Sequence, residues 1–267
     1  MSYDVAGKRV LITGGSSGIG AGLAEAMARA GATVGICARR RDRLESVLER
    51  CRGYTPESAM WVVDLAGEGV PERLAAEVTE AFGGVDVLVN NAGIPKRRHV
   101  TRLDAGTVDA VMRINYAAPV HLTLALLPQM LERGEGRVVN VSSVAAHLSS
   151  PGEAAYSASK AALAAFSETL ALDLWDTGVR SMVVYPGVVD TELFTLPDND
   201  PSLAAVEALT VDEAVAQIMA ALADDAVEVY VPGWFADVVT GKANDLGAFL
   251  AGAAAWVRQQ QPGSGPS

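Results

Sequence analysis

Apolar positions along this chain follow two alternating rhythms. Short continuous apolar runs predict strands buried on both faces, at Lys8–Thr13, Thr33–Cys37, Met60–Val63, Val85–Val89, Arg137–Val141, Val179–Tyr185 and Glu228–Val231. Between them apolar residues recur every three or four positions, the helical period. These stretches predict helices at Ala21–Ala30, Arg40–Arg52, Glu72–Phe82, Leu103–Arg133, Ala154–Thr177 and Val211–Ala223. In the second of these, Leu44, Val47, Leu48 and Cys51 share one side. The fourth is expected to be interrupted near Pro119 and Pro128, where the backbone lacks a donor. Strand and helix in alternation mean a parallel sheet of about seven strands with helices on both faces, an α/β protein. No repeat, linker or composition break divides residues 1–258, so a single domain is expected there. The tail 259–267 is expected to be disordered. The late apolar run Leu246–Val257 is twelve residues long. That is short of the roughly 20 needed to cross a bilayer, so it reads as a packed terminal helix and not a membrane span.

Composition narrows the function classes. The chain has 267 residues, half of them apolar and a fifth charged, with a net charge of −11. That balance fits a globular protein and argues against nonspecific nucleic-acid binding, which needs basic surface. Cys37 lies in an apolar run and reads as a small buried hydrophobe; with Cys51 it suggests no disulfide framework. His99, His121 and His147 are scattered, so no metal site is expected. The N-terminal residues carry no apolar signal region, so a cytoplasmic location is expected.

The first candidate chemistry lies between the first strand and the first helix, at Thr13-Gly-Gly-Ser-Ser-Gly-Ile-Gly20. Gly14, Gly18 and Gly20 allow a sharp turn and close approach to a pyrophosphate, with Ser16, Ser17 and Ile19 as neighbours. The helix that follows aims its N–H groups at the anion. The spacing is Gly-x-x-x-Gly-x-Gly, and the strand–turn–helix context is what gives it meaning. The alternative is a tight structural turn. At the end of the second strand the chain reads Ala38-Arg39-Arg40-Arg41, with no carboxylate before Asp42. A carboxylate there would hold a ribose 2′-hydroxyl, whereas a guanidinium suits a 2′-phosphate. Arg39 and Arg40 therefore point to NADP(H) over NAD(H). The other reading, a solvated basic helix start, sets three arginines against the helix dipole and leaves them without a local reason.

The second is Tyr156-Ser-Ala-Ser-Lys160, whose ends share a helix face. A tyrosine titrates near 10, so acting as a base near neutrality takes a phenolate stabilised by roughly 3 units, or about 4 kcal/mol. Neighbouring positive charge supplies that.

With these pieces the sequence resembles the short-chain dehydrogenase/reductase family, over residues 6–232. The match runs through the glycine turn, Asp64-Leu65, Asn90-Asn91-Ala92-Gly93, Asn115, Ser143 thirteen residues before Tyr156, and Pro186-Gly187 followed by Val189 and Thr191. The resemblance implies a Rossmann-like doubly wound sheet. It places Asp64 and Leu65 at the adenine, Asn91, Ala92 and Gly93 along the cofactor, and Pro186, Gly187, Val189 and Thr191 at the nicotinamide. It makes Asn115, Ser143, Tyr156 and Lys160 the catalytic set. Ser143 would steady a carbonyl oxygen and Tyr156 would pass the proton. Lys160 would lower the tyrosine pKa, hold the nicotinamide ribose and, with Asn115, position a water chain. Ser17 departs from the family's pattern, because some NADP-preferring members are basic there.

The implied reaction is hydride transfer between NADP(H) and a carbonyl or secondary alcohol. The alternative is an NADP-binding regulatory or scaffold protein of the same fold without turnover. An epimerase or dehydratase is disfavoured by chain length and glycine spacing. Substrate recognition is expected in Val144–Glu153 and Val188–Leu209. Ala145, Leu148, Leu193, Phe194 and Leu196 offer an apolar wall for a mainly apolar small molecule, and Pro197–Ser202 a mobile lid. A homodimer or homotetramer is expected through the two long helices. Ala161, Ala162, Ala164 and Ala165 would permit close approach, and Phe249–Val257 would add a second contact.

Overall fold

The computed structural model describes residues 2–201 and 206–260. Seven parallel strands form one sheet in the order β3-β2-β1-β4-β5-β6-β7. They are β1 (Arg9–Thr13), β2 (Thr33–Ala38), β3 (Ala59–Val62), β4 (Val87–Asn90), β5 (Gly136–Val141), β6 (Val179–Pro186) and β7 (Glu228–Val231). The chain winds outward from β1 to β3, returns to the centre and winds the other way from β4. The order therefore reverses between β1 and β4, and a crevice opens there at the carboxyl edge.

Side chains alternate across the sheet, and both faces are covered, which is why the strands read as unbroken apolar runs. Val10 and Ile12 of β1 enter one core with Val34, Ile36, Val87 and Val89. That face is covered by α1 (Gly18–Arg29), α2 (Arg41–Arg52) and α7 (Val211–Ala223), through Leu23, Met27, Leu44, Val47 and Ile218. Leu11, Cys37 and Leu88 enter the opposite core. There α3 (Val70–Phe82) and α5 (Ala118–Arg133) contribute Leu74, Val78, Leu122, Leu126 and Met130. Each such side chain contributes about 1.5–3 kcal/mol on burial. Cys37 is buried as its run predicts, and burial pushes its thiol up to about 12.

Three expectations change. The segment 103–133 is interrupted just before Pro119, as expected, but not at Pro128. Pro119 sits in the first turn of α5, where its missing N–H costs little, and Pro128 is carried inside the helix. The irregularity is a π-helical turn, Arg113–Ala117, between α4 (Ala105–Met112) and α5. There the Ala118 N–H bonds back to the Arg113 carbonyl, and Pro119 has no N–H for the Asn115 carbonyl four residues earlier. Joined in this way, Ala105–Arg133 is long and apolar enough, by length and composition alone, to cross a membrane. Its Val111, Leu122, Leu126 and Met130 are buried inside the fold.

α6 (Ala154–Asp173) ends earlier than Thr177. Of its four alanines, Ala164 packs against Val183 and Tyr185 of β6, while Ala165 is exposed. The C-terminal apolar run is helical, as α9 (Leu246–Gln260), but not packed in the core: Leu246 and Leu250 are half exposed. It follows α8 (Phe235–Asn244), which the apolar pattern does not reveal. Gln259 and Gln260 of the predicted tail belong to α9, and 261–267 lie outside the described residues.

Candidate active site

The glycine turn is locked to the end of β4. Gly14 and Gly18 have φ of 68° and 55°, the left-handed region. The Asn91 side chain donates to the Thr13 and Gly14 carbonyls at 3.0 and 3.3 Å, and Thr13 Oγ1 accepts the Asn91 and Ala92 N–H groups at 3.0 Å each. A Cβ on Gly20 would lie 2.4 Å from Asn91 Nδ2 and 2.5 Å from the Gly14 oxygen. Ser17 caps α1 without bonding its first N–H groups through its side chain. Ser16, Ser17, Gly18 and Ile19 border a cleft of about 1180 Å³.

The cleft continues past Ala38, Arg39, Arg40, Asp64 and Leu65. Arg39 is exposed and, among the described residues, makes no hydrogen bond or ion pair. Arg40 is already engaged. It donates to Ser17 Oγ at 2.7 Å and Ser16 Oγ at 3.3 Å, and pairs with Glu192 at 2.6 Å. Arg43 holds the other Glu192 oxygen at 2.7 Å, and Arg41 pairs with Glu45. The arginine cluster therefore does have a local reason, contrary to the sequence expectation. Glu192 lies about 150 residues away along the chain, so spacing gave no hint of it.

At the opposite end β5 delivers Ser142 and Ser143. Ser142 Oγ donates to the Lys160 carbonyl at 2.8 Å, a structural role. Ser143 Oγ accepts the Ala145 N–H at 3.1 Å, donates to the Pro186 carbonyl at 3.4 Å, and shares a hydrogen bond with the Tyr156 hydroxyl. Lys160 Nζ donates to the Val141 carbonyl at 2.7 Å and lies 5.8 Å from the Tyr156 ring centroid. Asn115, with no exposed surface, accepts the Ile94 N–H at 2.9 Å and donates to the Ile94 carbonyl and Ser159 Oγ at 3.0 Å each. Gly93 fits between the two, since a Cβ there would be 3.3 Å from Asn115 Oδ1 and 3.5 Å from Lys160 Nζ. Pro186, Gly187, Val189 and Thr191 line the same cleft, Pro186 beside Ser143 and Thr191 beside Gly18 of the glycine turn. Asn115 and Lys160 thus meet at Gly93, and Ser143 meets Tyr156.

The electrostatics depart from expectation. Burial pushes the Tyr156 hydroxyl up to about 12; the Ser143 hydrogen bond opposes this, Glu153 adds to it and Arg97 opposes it. Lys160, expected to lower the phenol, instead has its own ammonium pushed down to about 8 by burial. It directs its proton to a backbone carbonyl. The charges that act on the phenol are Arg97, 3% exposed, and Glu153, whose carboxyl burial raises. The sequence reading missed Arg97, and took Glu153 only as the end of a substrate segment. The run Lys96-Arg97-Arg98 in an acidic chain was the available signal.

The apolar wall forms with Ala145, Leu148, Leu193 and Leu196, joined by Val206, Phe235 and Trp256. Phe194's side chain and Ser202 lie outside the described residues. The expected lid is strapped down over its described part. Asp198 pairs with Lys96 at 2.9 Å and with Arg98, and Asp200 with Arg102 at 2.6 Å. Asn199 accepts the Arg97 N–H at 2.6 Å.

A sheet with its crevice at the switch point, a glycine turn at one end and a Ser–Tyr–Lys–Asn group at the other define a nucleotide-binding α/β protein of dehydrogenase type. The family profile described as short chain dehydrogenase matches residues 8–200, and the chain belongs to that family. A short chain dehydrogenase of Pseudocercospora fijiensis is 40% identical over 189 residues, covering 70% of this chain and 61% of that relative. The chain thus spans under two thirds of that relative's length. Among solved structures, a short-chain dehydrogenase from Sphingobium yanoikuyae in complex with NADPH has a TM-score of 0.79 at 28% identity, covering 90% of this chain and 94% of that one. A short chain dehydrogenase/reductase from Burkholderia phymatum in complex with NAD has a TM-score of 0.83 at 24% identity, covering 91% and 95%.

Proposed function

We propose that this protein is an NADP(H)-dependent oxidoreductase acting on a carbonyl or secondary-alcohol carbon, with Tyr156 as general acid and base. One observation carries the reading. A single cleft has a glycine turn and arginines at one end and Ser143, Tyr156 and Lys160 at the other, with Asn115 buried behind Ile94 of its lining. A nicotinamide dinucleotide suits it, because Gly14 and Gly18 border the cleft without a side chain and Gly20 lets the turn pack directly on Asn91, so that the backbone can approach a pyrophosphate closely. The NADPH complex of the Sphingobium relative supports that cofactor class. The choice of NADP(H) rests on Ala38, Arg39 and Arg40.

Bound there, the nicotinamide supplies or accepts the hydride. The protein's part is to hold the oxygen and move the proton. In reduction Ser143 Oγ donates a hydrogen bond to the substrate oxygen as charge develops on it. Tyr156, with its hydroxyl raised to about 12, keeps its proton at neutral pH and delivers it to that oxygen. Asn115 holds the Ile94 backbone, Lys160 holds the Val141 carbonyl, and the two offer polar atoms through which the proton is resupplied. Leu148, Leu193, Leu196 and Trp256 exclude water and favour a mainly apolar substrate. Tyr156→Phe is expected to lower turnover at least about a thousandfold while NADPH binding stays within about twofold. The measurement is NADPH consumption against a panel of carbonyl compounds, with binding followed by fluorescence. Turnover surviving the loss of the hydroxyl overturns the assignment.

We also propose a homodimer or homotetramer through the long helices. Leu124, Leu131 and Leu172 are exposed there, with Trp175 just beyond. A monomeric mass by light scattering removes that proposal.

A further inference from the structure

Glu192 lies in the short 3-10 turn Glu192–Phe194 that follows Thr191, a residue the family resemblance places at the nicotinamide. Its carboxylate nevertheless binds the adenosine side, with Arg40 at 2.6 Å and Arg43 at 2.7 Å. Arg40 in turn reaches the phosphate turn through Ser16 and Ser17. Thr191, the next residue, crosses close to the turn itself: its methyl carbon lies 3.0 Å from where a Cβ on Gly18 would stand. Residues 191–192 therefore tie the segment after β6 to the glycine turn and to the arginines at the start of α2, and both border the cleft.

Arg40 is one of the two arginines that the reading above assigns to a 2′-phosphate. Its Nη1 is occupied by a carboxylate and its Nη2 by serine hydroxyls. A guanidinium offers its fork to one planar anion at a time in a bidentate fit. A carboxylate this close also repels an arriving phosphate.

We propose that Glu192 is a specificity-determining strap: it competes with the cofactor's 2′-phosphate for Arg40, and the phosphate must displace it to bind. A cofactor without that phosphate leaves the Glu192–Arg40–Arg43 bridge in place. Displacement releases the turn Glu192–Phe194, which carries Leu193 of the substrate wall. The adenosine end thus reports to the substrate end which cofactor has arrived. Arg39, exposed and unpaired among the described residues, makes the first contact with the phosphate. Arg40 joins once Glu192 has left.

This inference rests on the NADP(H) reading, and one titration series separates the two. Adenosine 2′,5′-bisphosphate and adenosine 5′-monophosphate are titrated by calorimetry into the full chain, into Glu192→Gln and into Glu45→Gln. Glu45 forms an exposed ion pair with Arg41 on the same helix, so its variant changes net charge equally without touching the strap. Both ion pairs of Glu192 are solvent-exposed, so a gain of about three- to tenfold is expected for the bisphosphate in Glu192→Gln. The monophosphate is expected to stay within about twofold, and Glu45→Gln to behave as the unaltered protein. Bisphosphate affinity that is unchanged or weaker in Glu192→Gln overturns the strap, as does an equal gain in Glu45→Gln. If the unaltered protein binds the bisphosphate no better than the monophosphate, and Glu192→Gln does the same, the NADP(H) reading itself fails.

Discussion

The two ends of the cleft are held by opposite means. At the catalytic end Asn115 has no exposed surface and Lys160 only 4%, and both bond to backbone carbonyls. At the adenosine end Arg40 and Glu192 keep 42% and 38% of their side-chain surface and are tied by ion pairs in water. Burial at the first end shifts pKa values and fixes geometry, because an interior polar group without its partner is costly. Exposure at the second leaves interactions that salt screens and that a ligand can exchange. On the proposed function, the chemistry would sit where the protein is hardest to rearrange, and cofactor choice where it is easiest.

That contrast can be broken at either end. The largest effect is expected from Asn115→Leu, which keeps volume but leaves the Ile94 N–H and carbonyl without their partner. A loss of about 3–5 kcal/mol in urea unfolding follows from two unsatisfied backbone groups. A loss under about 1 kcal/mol would mean the interior end is less rigid than its hydrogen bonds imply.

Lys160→Met tests the cost of the buried charge. In the unfolded chain the ammonium keeps its proton to about 10.5, and in the fold only to about 8. Between those values the unfolded state binds more protons, so the unaltered protein gains stability as pH rises. The variant is expected to be more stable by about 1–3 kcal/mol at pH 7, after allowing for the lost bond to Val141. The gap should narrow from pH 8 upward. A gap that widens in alkali has the wrong sign for a buried ammonium.

The smallest effect belongs to the exposed end. Arg39→Asp is expected to shift the NADPH-to-NADH ratio of kcat/KM about tenfold toward NADH, near 1.4 kcal/mol, with stability almost unchanged. An unchanged ratio places the phosphate elsewhere.

Much of this arrangement was legible in the residues. Strand and helix positions were, because both sheet faces are buried and the apolar runs are unambiguous; Val211–Ala223 and Glu228–Val231 match to the residue. The clustering of the proposed catalytic group was legible because Ser143, Tyr156 and Lys160 keep short ordered spacings around one sheet edge. Arg97 and Trp256 were not, since each reaches the site from a separate stretch of chain; Glu153 and Glu192 fell inside the expected substrate segments, but their charge partners Arg97, Arg40 and Arg43 lie far off in sequence. Asp198 meets Arg98 across about a hundred residues, and no local pattern encodes such a meeting. The helix Phe235–Asn244 escaped for a different reason. Its Thr240-Gly241 interior weakens the helical signal, and only Phe235 is buried.

The clasp of Asn115 on Ile94 has one further consequence. A side-chain amide satisfies the N–H and carbonyl of a residue beyond the last bond of β4, doing what a neighbouring strand does inside the sheet. The Ile94 amide should then exchange its hydrogen with solvent on the slow clock of the interior rather than the fast clock of a loop. In hydrogen-exchange terms, the active-site segment is an extension of the sheet made from a side chain.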